Sequence, residues 1–140
     1  MTEKFKILTE FIKDMSSETA DVETYLFVKD QISKYHLDIN INSKPIKNKV
    51  IEVNTILTFR DKEMHEKKSH FEFTYTTIIQ IDETVVRKTD LEKIILCDLQ
   101  NKIYENMEKC FLSLLHNSGF PEVKFEKKID FEKLYKDRSN

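Results

Sequence analysis

The stretch Tyr35-His36-Leu37-Asp38-Ile39-Asn40-Ile41-Asn42 alternates apolar and polar side chains without a break. Successive side chains of a strand point to opposite faces, so Tyr35, Leu37, Ile39 and Ile41 share one face and His36, Asp38, Asn40 and Asn42 the other. One apolar and one wet face mark a half-buried strand of an antiparallel sheet. Downstream, Ser43-Lys44-Pro45 punctuates a turn. A further strand has Ile51, Val53, Thr55, Leu57 and Phe59 inward and Glu52, Asn54 and Thr58 outward. Residues 60–68 are too charged to pack and predict a solvated hairpin loop. The last strand puts Phe71, Phe73, Tyr75, Ile79 and Ile81 on one face and Glu72, Thr74, Thr76 and Gln80 on the other. Upstream, Phe5, Ile7 and Phe11 alternate with Lys4, Lys6 and Glu10, a first strand. Leu8 and Ile12 interrupt that alternation and predict cover on both faces.

Beyond Asp82 the period changes. Thr89-Asp90-Leu91-Glu92 has the form of a capping box. Leu99, Ile103, Met107, Cys110, Phe111, Leu114 and Leu115 step by three and four, one apolar face of a long helix. Asn117-Ser118-Gly119 supplies a left-handed stop and Pro121 bars continuation. A short final helix starts at Asp130 as N-cap, with Phe131, Leu134 and Tyr135 apolar. Residues 16–34 fit neither a strand nor a long helix, and their aromatics make them either core or an apolar surface for a partner. The expected class is therefore α+β. It has a four-stranded antiparallel sheet, a long connector after strand 1, one long helix and a short C-terminal helix, in one domain over residues 1–140.

Composition removes several functions. Asp and Glu total 25 against 23 Lys and Arg, and a net charge of −2 lacks the basic field that non-specific nucleic-acid binding needs. Lys44, Lys47 and Lys49 form only a short run, and Lys124, Lys127, Lys128, Lys133 and Lys136 are interleaved with acids, the pattern of a solvated mixed-charge face. A single glycine excludes a Gly-rich phosphate loop. The longest apolar runs, such as Ile94-Ile95-Leu96-Cys97, fall far short of the ~20 residues of a spanning helix, so membrane insertion is not expected. Charges at Lys6, Glu10, Lys13 and Asp14 interrupt any export signal, which points to a cytoplasmic, reducing setting with Cys97 and Cys110 as free thiols.

The chemistry-bearing residues form no catalytic pattern. Cys97 and Cys110 stand thirteen apart, and His36, His65, His70 and His116 show no pair at metal-ligand spacing, so neither a metal nor a cofactor is expected. Cys110 and His116, six apart on a helix, point to different faces and make no nucleophile–base pair. Asp14, Glu18 and Glu72 would form an acidic patch for a basic partner if the first and fourth strands are neighbours; ordinary exposed carboxylates explain them as well.

Three stretches together resemble the SecB family of tetrameric export chaperones. Phe11-Ile12-Lys13-Asp14-Met15-Ser16-Ser17-Glu18-Thr19 is similar to the family's first-strand motif, and Phe71-Glu72-Phe73-Thr74-Tyr75 to its fourth-strand pattern. Ser118-Gly119-Phe120-Pro121 followed by Ile129-Asp130-Phe131-Glu132-Lys133-Leu134-Tyr135 resembles its turn and closing helix. The resemblance implies an ATP-independent holdase that is not an enzyme. Such a holdase keeps preproteins unfolded for export, delivers them to the SecA motor, and assembles as a homotetramer, a dimer of dimers. It implies that Asp14, Glu18 and Glu72 face SecA. It implies also that the connector, with Tyr25, Leu26 and Phe27, helps line a client groove. The client contacts expected on that footing are Val22, Tyr25, Leu26, Phe27 and Ile32, with Leu134 and Tyr135 as secondary candidates. Closure of the monomer core is the other reading of those apolar residues. A dedicated single-partner chaperone of the antitoxin type on the same fold is the alternative function, and an enzyme with an unrecognised pocket is a third.

Overall fold

The computed structural model describes residues 4–125 and 128–139. Four strands, β1 (Phe5–Glu18), β2 (His36–Lys47), β3 (Val50–Arg60) and β4 (His70–Ile81), form one antiparallel sheet in the order β1-β4-β3-β2. The alternation predicted for β3 and β4 holds: Val53, Thr55, Leu57, Phe59, Phe71, Phe73, Tyr75, Thr77, Ile79 and Ile81 are buried on one face. Helix α2 (Lys88–Lys93) runs through a π-helical turn (Ile94–Asp98) into α3 (Leu99–Asn117), whose Leu99, Ile103, Met107, Phe111 and Leu115 close the same core. Buried Gln100 serves the π turn: its Nε2 donates to the Ile95 carbonyl at 3.2 Å, and its Oε1 accepts from Thr55 Oγ1 at 3.1 Å. Each buried polar group of the pair thus has a partner, as burial demands.

The connector differs from expectation. Residues 16–18 continue β1, and residues 22–31 form a helix, α1 (Val22–Gln31), followed by a short turn of 3₁₀ helix (Ile32–Lys34). Asp21 starts α1 by accepting from Thr24 N at 2.8 Å. Only Thr24 and Val28 of α1 are buried, so the helix lacks the apolar stripe that would have announced it. The Thr89–Glu92 capping box also does not form, because the helix begins two residues earlier than that box would set it, at Lys88, with Arg87 as N-cap and no side-chain cap. The final helix, α4 (Phe131–Ser139), does start at Asp130, which accepts from Lys133 N at 3.0 Å.

The interrupted pattern of β1 comes from two bulges, between Ile7 and Thr9 and between Ile12 and Asp14. Each bulge turns the following residues to the other face. Phe11 thus pairs with Thr76 on the outer face, away from Phe5 and Ile7. The strand is not covered on both faces. It lies at the sheet edge, and Leu8, Phe11, Ile12 and Met15 are between 42% and 53% exposed. Tyr75 ties β1 to α3, donating to Glu10 and accepting from Asn106 Nδ2 at 2.8 Å. Burial, with the Glu10 carboxylate beside it, pushes the Tyr75 phenol up to about 12, so it remains a neutral donor.

The loop after β3 is solvated yet ordered by Asp61. Its carboxylate accepts from Glu63 N at 2.9 Å and His65 N at 2.8 Å, and lies 2.9 Å from His65 Nδ1. Enclosure alone would raise the Asp61 carboxyl; these bonds outweigh it and hold it below the ordinary 3.8. A carboxylate lowered in the fold stabilises the loop fully above its ordinary value and loses that contribution as pH falls through the lowered one. Amide exchange at Glu63 and His65, corrected for intrinsic rates, should therefore rise on acidification below the ordinary carboxylate range. In Asp61→Asn exchange should be faster at neutral pH and flat over the same interval.

Gly119 ends α3 at φ +102°, and a Cβ there would stand 2.7 Å from Tyr25 Cε1. Gly119→Ala should cost roughly 1–3 kcal/mol in denaturant unfolding at fixed protein concentration. A change within error would remove the strain argument.

Candidate functional site

The site begins with an aromatic seam. Phe71 meets Phe120 with ring centroids 5.6 Å apart, Phe59 meets Phe125 at 5.6 Å, and Phe111 stacks on Phe125 at 6.2 Å. These contacts press the segment after α3 onto the end of the sheet. His116 adds a pin, its Nε2 2.8 Å from the Val123 carbonyl oxygen. Between this segment and β2 lies a groove of about 1010 Å³. Its apolar walls come from Ile32, Leu37, Ile39, Phe59, Tyr104, Val123, Phe125, Ile129 and Leu134, and Lys29, Asp38 and Glu122 stand among them. A second, smaller hollow of about 170 Å³ continues along β2, sharing Ile39 and Leu134 and adding Ile41, Leu96, Phe131 and Tyr135. Residues of both parities, His36 through Ile39, border the groove, so it runs along the backbone edge of β2. That edge has no strand partner among the described residues.

The residues proposed for client contact separate into groups. Ile32 and Leu134 line the groove, and Leu134 and Tyr135 line the smaller hollow. Tyr25 is a fastener: its hydroxyl donates to the Gly119 carbonyl at 2.7 Å and its ring lies 5.3 Å from Phe120. Phe27 packs edge-on against His65 at 5.1 Å. Val22 and Leu26 are exposed on α1 and line neither hollow. Sequence reasoning passed over Phe125 and Ile129, since three or four apolar residues in an irregular segment carry no period. The aromatic density around Phe120–Phe125 was the available signal.

The three acids come together as strand neighbours. Asp14 and Glu18 lie within β1. Ser16 pairs with Glu72, Asp14 with Thr74 and Glu18 with His70, so all three carboxylates share the outer face of the sheet. Asp14 and Glu18 sit diagonal to Glu72, a separation of about 7–8 Å in an antiparallel pair. All are exposed, and no ion pair among the described residues engages them. Beside them a polar ladder crosses the same face: Thr76 Oγ1 donates to Asn54, Asn54 Nδ2 donates to Asn42 and Glu52, and Lys13 pairs with Glu52 at 3.1 Å.

Of metal-ligand side chains, Asp61, Glu63 and His65 bring one atom each within 4.8 Å of one another. The hydrogen bonds that order the loop already occupy Asp61. Cys97 is a free, buried thiol raised by burial and then by nearby Asp98, the opposite of an activated nucleophile; Cys110 is free and half-buried. No helix among the described residues is long and apolar enough to cross a membrane.

The family model described as "Preprotein translocase subunit SecB" matches residues 1–140. A Pelagibacter ubique (strain HTCC1062) chain bearing the protein-export protein SecB name is 61% identical over 140 residues, the whole of both chains. The protein-export protein SecB of Bartonella quintana is 22% identical over 134 residues, 96% of this chain and 83% of that one. In structure, a Mycobacterium tuberculosis SecB-like chaperone, solved with a peptide from an antitoxin, aligns at a TM-score of 0.68. It is 8% identical, with 90% of this chain and 88% of that chain covered, and shares the fold. The match of the family model over the full length, with a relative 61% identical from end to end, places this chain in the SecB family of non-enzymatic chaperones of protein export.

Proposed function

We propose that this protein is an ATP-independent holdase that keeps preproteins unfolded in the cytoplasm and delivers them to SecA. The observation that carries the reading is the groove along β2, long, apolar and open, with an unpaired strand edge as one border. An unfolded segment in extended form can satisfy backbone donors and acceptors on such an edge while its apolar side chains enter the hollows. Burial is worth about 2.5 kcal/mol per 100 Å² of apolar surface before the costs of ordering the client. Several modest contacts along one chain then add up by avidity, which suits a chaperone that must let go. Ile32, Leu134 and Tyr135 are the client contacts of the original set, joined by Leu37, Ile39 and Ile129. Tyr25 and Phe27 act by holding α1, and Val22 and Leu26 belong to more peripheral contacts.

Asp14, Glu18 and Glu72 form the SecA docking patch in this reading, since three unpaired carboxylates on one flat face suit a basic partner. A homotetramer, a dimer of dimers, is part of the same proposal. The open edge of β1 and the exposed Leu8, Phe11, Ile12 and Met15 are a liability in a lone chain and are covered by pairing with a second copy. The 61% identity to a protein-export relative favours general export over an antitoxin-dedicated role.

The first test is binding, without ATP, of one preprotein in unfolded and folded form, with the chaperone's mass in solution measured alongside. Selective capture of the unfolded form by a tetramer is expected; equal neglect of several unfolded clients would overturn the holdase reading. Ile129→Ser with Leu134→Ser should weaken client binding at least about ten-fold and leave SecA binding intact. Asp14→Lys with Glu72→Lys should do the reverse. Loss of both functions in either variant, with unfolding transitions unchanged, would show that groove and patch are not separate sites.

A further inference from the structure

The end of the sheet opposite the acidic patch gathers positive charge that the sequence scatters. Lys4 and Lys49 are bonded through their backbones to adjacent residues of β4 and its turn: Asp82 N donates to the Lys4 carbonyl at 2.9 Å and Ile81 N to the Lys49 carbonyl at 2.7 Å. Lys6 and Val50 flank Gln80 from β1 and β3, and Lys47 pairs with Val50 at the tip of the β2–β3 hairpin. Lys49 Nζ donates to the Val85 carbonyl at 3.2 Å, which ties this tip to the segment that carries Arg87 and enters α2 at Lys88. Of the described acids at this end only Glu52 is ion-paired, to Lys13 and Lys44; Asp82, Glu83 and Asp90 keep their charge and are outnumbered by Lys4, Lys6, Lys47, Lys49, Arg87 and Lys88.

Two large apolar side chains stand among these cations. Ile46 is 50% exposed beside the bulge between Pro45 and Lys47, and Val86 is 80% exposed beside Arg87. Neither lines the groove or lies on the β1 edge. A single exposed apolar residue needs no explanation. Two of them at the rim of one cationic end, on tips tied together by Lys49, match the chemistry of an anionic lipid surface. Headgroup charge attracts the lysines, and the interfacial zone accepts short apolar side chains.

We propose that this end, the β2–β3 hairpin tip with the 82–87 segment and the start of α2, docks reversibly on anionic phospholipid. The chain does not insert, and docking lays its basic end on the bilayer while the acidic patch at the other end stays free. The inference is independent of the holdase reading. It uses neither groove nor patch, and its failure leaves both untouched. Lipid is favoured over nucleic acid because phosphate recognition alone gives no role to Ile46 and Val86.

Flotation of the full-length protein with vesicles tests it. Binding is expected to phosphatidylglycerol–phosphatidylcholine vesicles and not to pure phosphatidylcholine, and it should weaken with salt as exposed charge interactions do. Lys47→Glu with Arg87→Glu and Lys88→Glu should reduce binding at least about ten-fold. Ile46→Ser with Val86→Ser should reduce it about five-fold or more with the charges intact. Unchanged thermal unfolding would show that these surface variants remain folded. No binding to anionic vesicles, or binding indifferent to the charge reversals, overturns the proposal. So does binding to a DNA oligonucleotide of equal strength that ignores Ile46→Ser with Val86→Ser, which would make this end a generic polyanion site.

Discussion

The packing of Phe120 and Phe125 against Phe71, Phe59 and Phe111 is the contact on which the rest of the molecule depends. Without it the segment after α3 would have no reason to fold back over the sheet, and the groove would lose its outer wall. The same seam reaches α1 through Tyr25, whose ring lies on Phe120 and whose hydroxyl holds the Gly119 carbonyl. Aromatic pairs of this kind add about 0.5–1.5 kcal/mol each beyond the area they bury. A chain of them joins the sheet, α3, the irregular segment and α1 into one cooperative unit. The single glycine of the sequence sits at this junction because the chain needs a positive φ there and Tyr25 leaves no room for a Cβ.

The sheet divides its surfaces by physical character. One face is the core. The other is a hydrogen-bonded polar lattice running from Thr76 through Asn54 to Glu52, with the three unpaired acids at one end and the lysines at the other. Each edge carries its own apolar margin, Leu8 to Met15 on β1 and the groove along β2. A chaperone that binds client polypeptides gains from surfaces that do not compete, and a sheet whose β1 and β2 edges have no strand partner among the described residues offers several. Edge strands carry a risk of uncontrolled pairing. Two bulges in β1 and the Lys44–Pro45 end of β2 limit that risk without closing the edges.

The apolar periods of Tyr35–Ile41, Ile51–Phe59, Phe71–Ile81 and Leu99–Leu115 determined by themselves the strands, the long helix and the core face, because burial acts on each position almost independently of what lies opposite. The stop at Gly119 and the cap at Asp130 were legible for the same local reason. Helix α1 was not, since with only Thr24 and Val28 buried it has no stripe to read, and its cap Asp21 looks like any surface acid. The faces of Phe11 and Ile12 needed the bulges, which exist only against the register of β4. Asp14, Glu18 and Glu72 could be nominated from sequence, but their meeting depends on β1 pairing with β4 across more than fifty residues of chain. The groove is the fullest case. Ile32, Leu37, Phe59, Phe125 and Leu134 belong to five different segments, and only the packing of the aromatic seam turns them toward one space, because a concave surface is a property of how elements meet and not of any one of them.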